Sequence, residues 1–125
     1  MSTRLAIVCD DDRTLAKIME FVLTKKGFEV RIAENGLLAM QLLSSTAPGL
    51  LFLDLEMPKK DGFSVLEEIR TANAGKPYTI VLSSHESQET HDRAVSLGAD
   101  EVWVKPFNPA ELLKRVEGLM LQGKI

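Results

Sequence analysis

Two hydrophobic rhythms alternate along the chain. Short runs that are apolar on consecutive positions begin near Leu5, Glu29, Leu50, Thr79 and Glu101, as expected of strands covered on both faces. Between them the apolar residues fall at helical spacing. Leu15, Ile18, Met19 and Val22 follow i, i+3, i+4, i+7, with Gly27 as a stop signal. Leu38, Leu42 and Leu43 mark a second helix, closed by Ala47-Pro48-Gly49. Phe63, Leu66 and Ile69 mark a third, ended by the polar stretch to Gly75. The last helix has Asn108 as N-cap, Pro109 at its first position and Glu111 placed for a capping box, with Leu112, Val116, Leu119 and Met120 as its buried stripe. The fourth, Gln88 to Leu97, offers only Ala94, Val95 and Leu97 as apolar anchors. Little burial holds it, so it is expected to be the most mobile helix and a candidate switch element.

Strand and helix alternate five times, which predicts an α/β fold of βαβ units with right-handed crossovers: a five-stranded parallel sheet flanked by five helices. No repeat, linker or low-complexity tract interrupts the pattern. Residues 1–125 read as one domain with Gln122-Gly123-Lys124-Ile125 as a tail.

Composition removes several classes of function. The 45% hydrophobic and 26% charged fractions belong to a soluble globular protein. A net charge of -3, with no acidic tail, argues against duplex nucleic acid as a direct partner. No run approaches the roughly 18 apolar residues of a membrane span, and Met1-Ser2-Thr3-Arg4 does not open a signal peptide. The single cysteine, Cys9, excludes an intrachain disulfide, suits a reducing compartment and reads as a small buried hydrophobe. The expected location is the cytoplasm.

The chemistry lies at the strand ends. Val8-Cys9 runs into Asp10-Asp11-Asp12, Leu51-Phe52-Leu53 into Asp54, Ile80-Val81-Leu82 into Ser83-Ser84, and Val102-Trp103-Val104 into Lys105-Pro106. In a parallel sheet these ends share one edge, where open α/β sheets bind their ligands. Adjacent carboxylates repel and are costly to desolvate, a conflict that a hard cation such as Mg2+ resolves. Each residue also has a plainer reading. The triplet can be a solvated turn with Asp12 capping the next helix, Asp54 a helix cap or ion-pair partner, and Ser83 bonded to backbone. Taken singly the residues leave these readings open, whereas four strand ends converging in one crevice favour a reactive site.

With those residues in view, the whole chain resembles the receiver domains of bacterial two-component response regulators, most of all the stand-alone, chemotaxis-type (CheY-like) members. The matching pieces are Ile7-Val8-Cys9-Asp10-Asp11, Leu53-Asp54-Leu55-Glu56-Met57-Pro58, Asp61-Gly62, Leu82-Ser83-Ser84, Gly98-Ala99-Asp100 and Val104-Lys105-Pro106-Phe107. The resemblance implies the flavodoxin-like (βα)5 fold with strand order 2-1-3-4-5. It implies Asp54 as phosphoryl acceptor, Asp11 and Asp10 as Mg2+ carboxylates, and the backbone carbonyl of Glu56 as a further ligand beside Asp54. Ser83 and Lys105 would each bind a phosphoryl oxygen. The implied phosphodonor is a histidine kinase or histidine phosphotransfer protein, and the implied output is altered binding of a downstream protein through the face made by the fourth helix, fifth strand and fifth helix.

The chemistry agrees with those roles. A carboxylate attacking a phosphoryl group meets like charge, which Mg2+ and a lysine neutralise. The product adds roughly one to two negative charges at the sheet edge, enough to draw Ser83 inward and bias the fourth helix.

Some positions depart from the family pattern or extend it. Many members carry an aromatic residue three positions before the lysine; here it is Val102, with Trp103 following on the opposite strand face as an expected packing residue. Glu56 and His85, two residues beyond Asp54 and Ser83, are expected to tune the lifetime of the aspartyl phosphate. His91 reads as solvated, and two histidines six apart do not make a zinc site. Lys59 and Lys60 read as solvated lysines that can also help dock a phosphodonor. The competing functions are a phosphorylation-independent receiver-like interaction module, which only Val102 supports, and a small Mg2+-dependent phosphatase, which lacks a cap domain and a second acid in the usual pattern after Asp54.

Overall fold

The computed structural model describes residues 4–72, 76–85 and 87–125. Strands and helices alternate as β1 (Arg4–Cys9), α1 (Arg13–Lys25), β2 (Phe28–Ala33), α2 (Gly36–Ser45), β3 (Leu50–Asp54), α3 (Gly62–Thr71), β4 (Tyr78–Ser83), α4 (Gln88–Ser96), β5 (Glu101–Val104) and α5 (Pro109–Leu121). All neighbours in the sheet are parallel, in the order β2-β1-β3-β4-β5. The expected fold class and strand order are those observed. Two sequence expectations, the N-terminal Met1-Ser2-Thr3 and the end of the polar stretch after α3 at Gly75, fall outside the described residues.

Side-chain alternation divides the apolar residues into two cores, one on each face of the sheet. Ala6, Val8, Leu50, Phe52, Ile80, Leu82 and Trp103 meet Met19 and Leu23 of α1 and Leu112 and Val116 of α5. Ile7, Cys9, Leu51, Leu53 and Val81 meet Ala39 of α2, Val65 and Leu66 of α3 and Ala94 of α4. Every residue of β3 is buried, which is why its apolar run is continuous and why Asp54 emerges from the middle of the molecule. Each large side chain fully buried this way contributes about 1.5–3 kcal/mol.

Local signals set the helix ends. Asp12, Asn35, Asp61, Ser87 and Asn108 each cap a helix by accepting a hydrogen bond from a backbone N–H three residues on. Gly27 and Gly98 follow helix ends with φ of 94° and 109°. Helix α4 buries Ala94 alone among its residues, in line with its sparse apolar pattern. Trp103 is 3% exposed, with its ring edge-on to Phe52 at 5.5 Å and Phe107 at 5.6 Å. Val102 joins the opposite core, as strand alternation requires.

Candidate functional site

The register of the sheet brings the expected residues together. Cys9 of β1 lies opposite Leu53 of β3, so the next residues, Asp10 and Asp54, leave the sheet side by side. Asp54 pairs in register with Leu82, placing Ser83 beside it, and Ser83 lies opposite Val104, which delivers Lys105. Backbone bonds continue the ladder past the strand ends: Asp10 N–H donates to Ala33, Leu55 to Leu82 and Lys105 to Ser83, at 2.8–3.0 Å. The Lys105–Pro106 peptide is cis.

The acidic triplet divides its work. Asp12 caps α1, the plain reading of that residue. Asp10 is buried, and its Oδ1 accepts from the Asp12 N–H at 2.9 Å. Asp11 is exposed at the mouth of the crevice. Among the described residues, Asp10, Asp11 and Asp54 form one group in which a carboxylate oxygen from each lies within 4.8 Å of the others.

Lys105 Nζ sits 2.9 Å from Asp10 Oδ2 and 3.4 Å from Asp54 Oδ2. Asp10 Oδ2 is buried without a directed hydrogen bond, so its contact with Lys105 is an ion pair and leaves acceptor capacity unused. Three clustered carboxylates thus have one ammonium among them, paired with Asp10 and Asp54. That excess negative charge, with an under-satisfied buried oxygen aimed into it, fits a hard divalent cation held by oxygen ligands.

The environment shifts both charged partners. Burial pushes the Asp54 carboxyl up to about 6; the Glu56 N–H at 3.1 Å pulls it down, the Asp10 charge raises it, and Lys105 lowers it. Burial works against the Lys105 charge, but the Asp10 and Asp54 carboxylates outweigh it and hold the ammonium above its usual value. Folded Asp54 keeps its proton more tightly than an unfolded chain with the ordinary value of 3.8. Stability therefore falls as pH rises from about 4 to 6, and ionised Asp54 costs the fold about 2 kcal/mol above that window, allowing for solvent at the mouth. Asp54→Asn is expected to be more stable than wild type by that amount at pH 7 in chelator. The gain should vanish near pH 4 in urea titrations, and a gain equal at both pH values would refute the charge origin.

Ser83 is buried, but its hydroxyl turns into its own loop. Its Oγ donates to the His85 carbonyl and accepts from the His85 N–H, both at 3.0 Å, so the backbone-bonded reading holds in this state. The side chain of Glu56 also does something the sequence did not announce. Its Oε1 accepts from Ser84 Oγ at 2.6 Å and faces His85 Nε2 at 3.4 Å, lacing the loop after β3 to the loop after β4. The signal was two polar neighbours of site residues on adjacent strands. Lys60 is bound to Glu68 at 2.7 Å rather than free in solvent, and Lys59 holds φ at 69°. Val102, Val104, His85, Ser87, Gln88 and His91 line a shallow cleft between α4 and β5.

Two glycines set the loop after β3. A Cβ on Gly62 would lie 2.5 Å from the Asp54 carbonyl oxygen and 2.8 Å from Leu55 Cα. One on Gly36 would lie 2.0 Å from the Lys60 carbonyl oxygen. The loop is seated on bare backbone at both points.

Comparison with known proteins decides the family. The sequence profile of the response regulator receiver domain matches residues 6–117. The chain is a response regulator receiver domain. A curated relative, response regulator MprA of Mycobacterium ulcerans (strain Agy99), is 33% identical over 125 residues, covering 100% of this chain and 53% of its own length. The receiver domain thus spans about half the length of the curated relatives it matches. Among solved structures, the receiver domain of the Francisella response regulator 1452 superposes with a TM-score of 0.85 at 29% identity, covering 96% of this chain and 98% of that one. A CheY-like receiver domain protein from Methanospirillum hungatei JF-1 shares the fold, with a TM-score of 0.87 at 24% identity over 98% and 97% of the two chains. Receiver domains are the phospho-accepting switches of two-component signalling, and this chain is one of them. Among the described residues, no helix is long and apolar enough to cross a membrane.

Proposed function

We propose that this receiver domain accepts a phosphoryl group on Asp54 from a histidine kinase or histidine phosphotransfer protein, with Mg2+, and answers by changing its affinity for a downstream protein. The observation that carries the reading is the convergence of Asp10, Asp11, Asp54 and Lys105 on one sheet edge, with the Lys105 ammonium 3.4 Å from Asp54 Oδ2. Asp10, Asp11 and Asp54 would hold the ion, with the Glu56 backbone carbonyl as a further ligand. Bound there, Mg2+ neutralises charge on the transferred oxygens and lowers the repulsion between the attacking carboxylate and the phosphoryl group.

A carboxylate oxygen of Asp54 attacks phosphorus, the bond to the donor nitrogen breaks, and a mixed anhydride remains on the side chain. Lys105 pairs with one phosphoryl oxygen, and Ser83 gives up its bonds to His85 to reach another. Water later attacks phosphorus and returns the carboxylate and inorganic phosphate, so the mark is reversible. These steps turn over on the protein itself; no separate substrate is processed, and the domain is a switch rather than an enzyme. The output surface is the α4-β5-α5 face, where Val95, Val104 and Leu113 are left exposed.

The side chains of Glu56 and His85, which meet 3.4 Å apart two residues beyond Asp54 and Ser83, would influence how fast that water attacks. Glu56→Ala and His85→Ala are expected to change the hydrolysis rate of phospho-Asp54 severalfold without abolishing uptake. Decay followed by intact mass after donor removal reads this directly, and wild-type rates in both variants would refute it. The whole reading is tested with acetyl phosphate. Wild type should gain one phosphoryl group only when Mg2+ is present, and Asp54→Asn none; turnover of a phosphomonoester, or no adduct, would contradict the reading.

A further inference from the structure

Helix α4 is the least anchored helix by burial, with only Ala94 fully covered. One residue earlier, Arg93 sends its guanidinium carbon to 3.9 Å from the centroid of the Phe63 ring, on the first turn of α3. Phe63 is half-buried against the core beneath α2 and α3, so its ring is a fixed platform rather than a loose surface group. The turn that carries it has no slack. Gly62 N–H donates to the Leu55 carbonyl at 3.1 Å, and a Cβ on Gly62 would meet the Asp54 carbonyl oxygen at 2.5 Å. The backbone of Asp54, the first turn of α3, the Phe63 ring and Arg93 of α4 therefore form one contiguous chain of contacts.

We propose that the Arg93–Phe63 stack is the fastener that couples the Asp54 strand end to α4. A planar guanidinium over a ring holds by dispersion and by the ring quadrupole. It supplies α4 with a second hold where its apolar pattern is thin. It also ties α4 to the turn seated directly on the backbone of Asp54 and Leu55. This route differs from one through β5, where Val102 offers no ring to turn. Arg93 and Phe63 are positioning residues, acting on the output face through α4 and touching none of the reacting atoms. The coupling half of the proposal rests on phosphorylation at Asp54; the fastening half does not.

The test is amide hydrogen exchange on the full chain, comparing wild type, Arg93→Gln, Phe63→Leu and the double variant. In the unmodified protein each single variant should exchange α4 amides about two- to fivefold faster. The double should be no faster than either single, because both remove one interaction, while α1 and α5 stay at wild-type rates. Unchanged α4 rates, or effects that add, would overturn the fastener. After acetyl phosphate and Mg2+, with uptake verified by intact mass, wild type should show a change in α4 exchange that both singles largely lose at equal uptake. A wild-type-sized change in the variants would overturn the coupling. Absence of any adduct on wild type would count against the Asp54 reading alone, and the unmodified comparison would still decide the fastener.

Discussion

Lys105→Met is expected to lower stability by about 3 kcal/mol at neutral pH and to slow phosphoryl uptake about a hundredfold. The first effect follows from the arrangement of the crevice. Asp10 is 1% and Asp54 3% exposed, and the ammonium at 2.9 and 3.4 Å is the cation they share. Removing it leaves two buried carboxylates repelling each other, a loss larger than the modest worth of an exposed ion pair such as Arg13–Glu34, which joins two well-exposed side chains. Three observations should accompany the loss. Asp10→Asn in the same chain should recover much of it, because it removes one of the two charges and with it their mutual repulsion. Mg2+ should recover part, by supplying charge from the other side. Lowering the pH should narrow the gap, because without Lys105 the Asp54 carboxyl loses a contact that held its pKa down. Urea titration at two pH values reads all three. A loss below about 1 kcal/mol, or one insensitive to Asp10→Asn, would mean that the mouth of the crevice is wet enough to screen the charges.

Gly62→Ala is the second large effect, and there two forces oppose each other. Helix propensity favours alanine by up to about 1 kcal/mol. Against it, the new methyl would lie 2.5 Å from the Asp54 carbonyl oxygen and 2.8 Å from Leu55 Cα. Those are backbone atoms of a buried strand end and cannot rotate aside, so overpacking wins and costs about 1–3 kcal/mol net. The damage reaches function, because the displaced segment carries Asp54 and the Glu56 N–H bonded to it at 3.1 Å. Phosphoryl uptake should fall even where the variant remains folded by circular dichroism. Gly118→Ala in α5 is the control. No atom lies within 4 Å of its added Cβ, so propensity acts alone and the variant should gain about 1 kcal/mol. A Gly62→Ala protein as stable and as readily phosphorylated as wild type would show that the loop after β3 is looser than its contacts indicate.

Sequence made the architecture legible because its signals were redundant. Five apolar runs, four clear helical stripes with a sparser fifth, and strand-end polar residues all pointed to one parallel sheet, and the fully buried β3 explains why Leu50 to Leu53 showed no alternation. The crevice was legible for the same reason, since Asp10, Asp54, Ser83 and Lys105 each follow an apolar run directly, at or just past the end of a strand. Side-chain contacts between separate loops and between separate helices were not legible. Glu56 reaches Ser84 across 28 positions and Arg93 reaches Phe63 across 30, and neither pair carries a periodicity or a motif. The closeness of Gly62 to Asp54 was hidden as well, because a glycine in a turn signals backbone freedom as readily as lack of room. Ser83 was legible in place but not in state: its position promised a hydroxyl at the site, while the structure shows that hydroxyl bonded to its own loop.

The central claim is that Asp54, among three clustered carboxylates, is the one that takes the phosphoryl group. The most direct measurement is acceptor mapping: treat the wild-type protein with Mg2+ and acetyl phosphate, reduce the acyl phosphate with borohydride, and locate the reduced residue by tandem mass spectrometry. The account predicts reduction at Asp54 alone, dependent on Mg2+ and much diminished in Lys105→Met. Reduction at Asp10 or Asp11, or none anywhere with a folded protein and Mg2+ present, would contradict it.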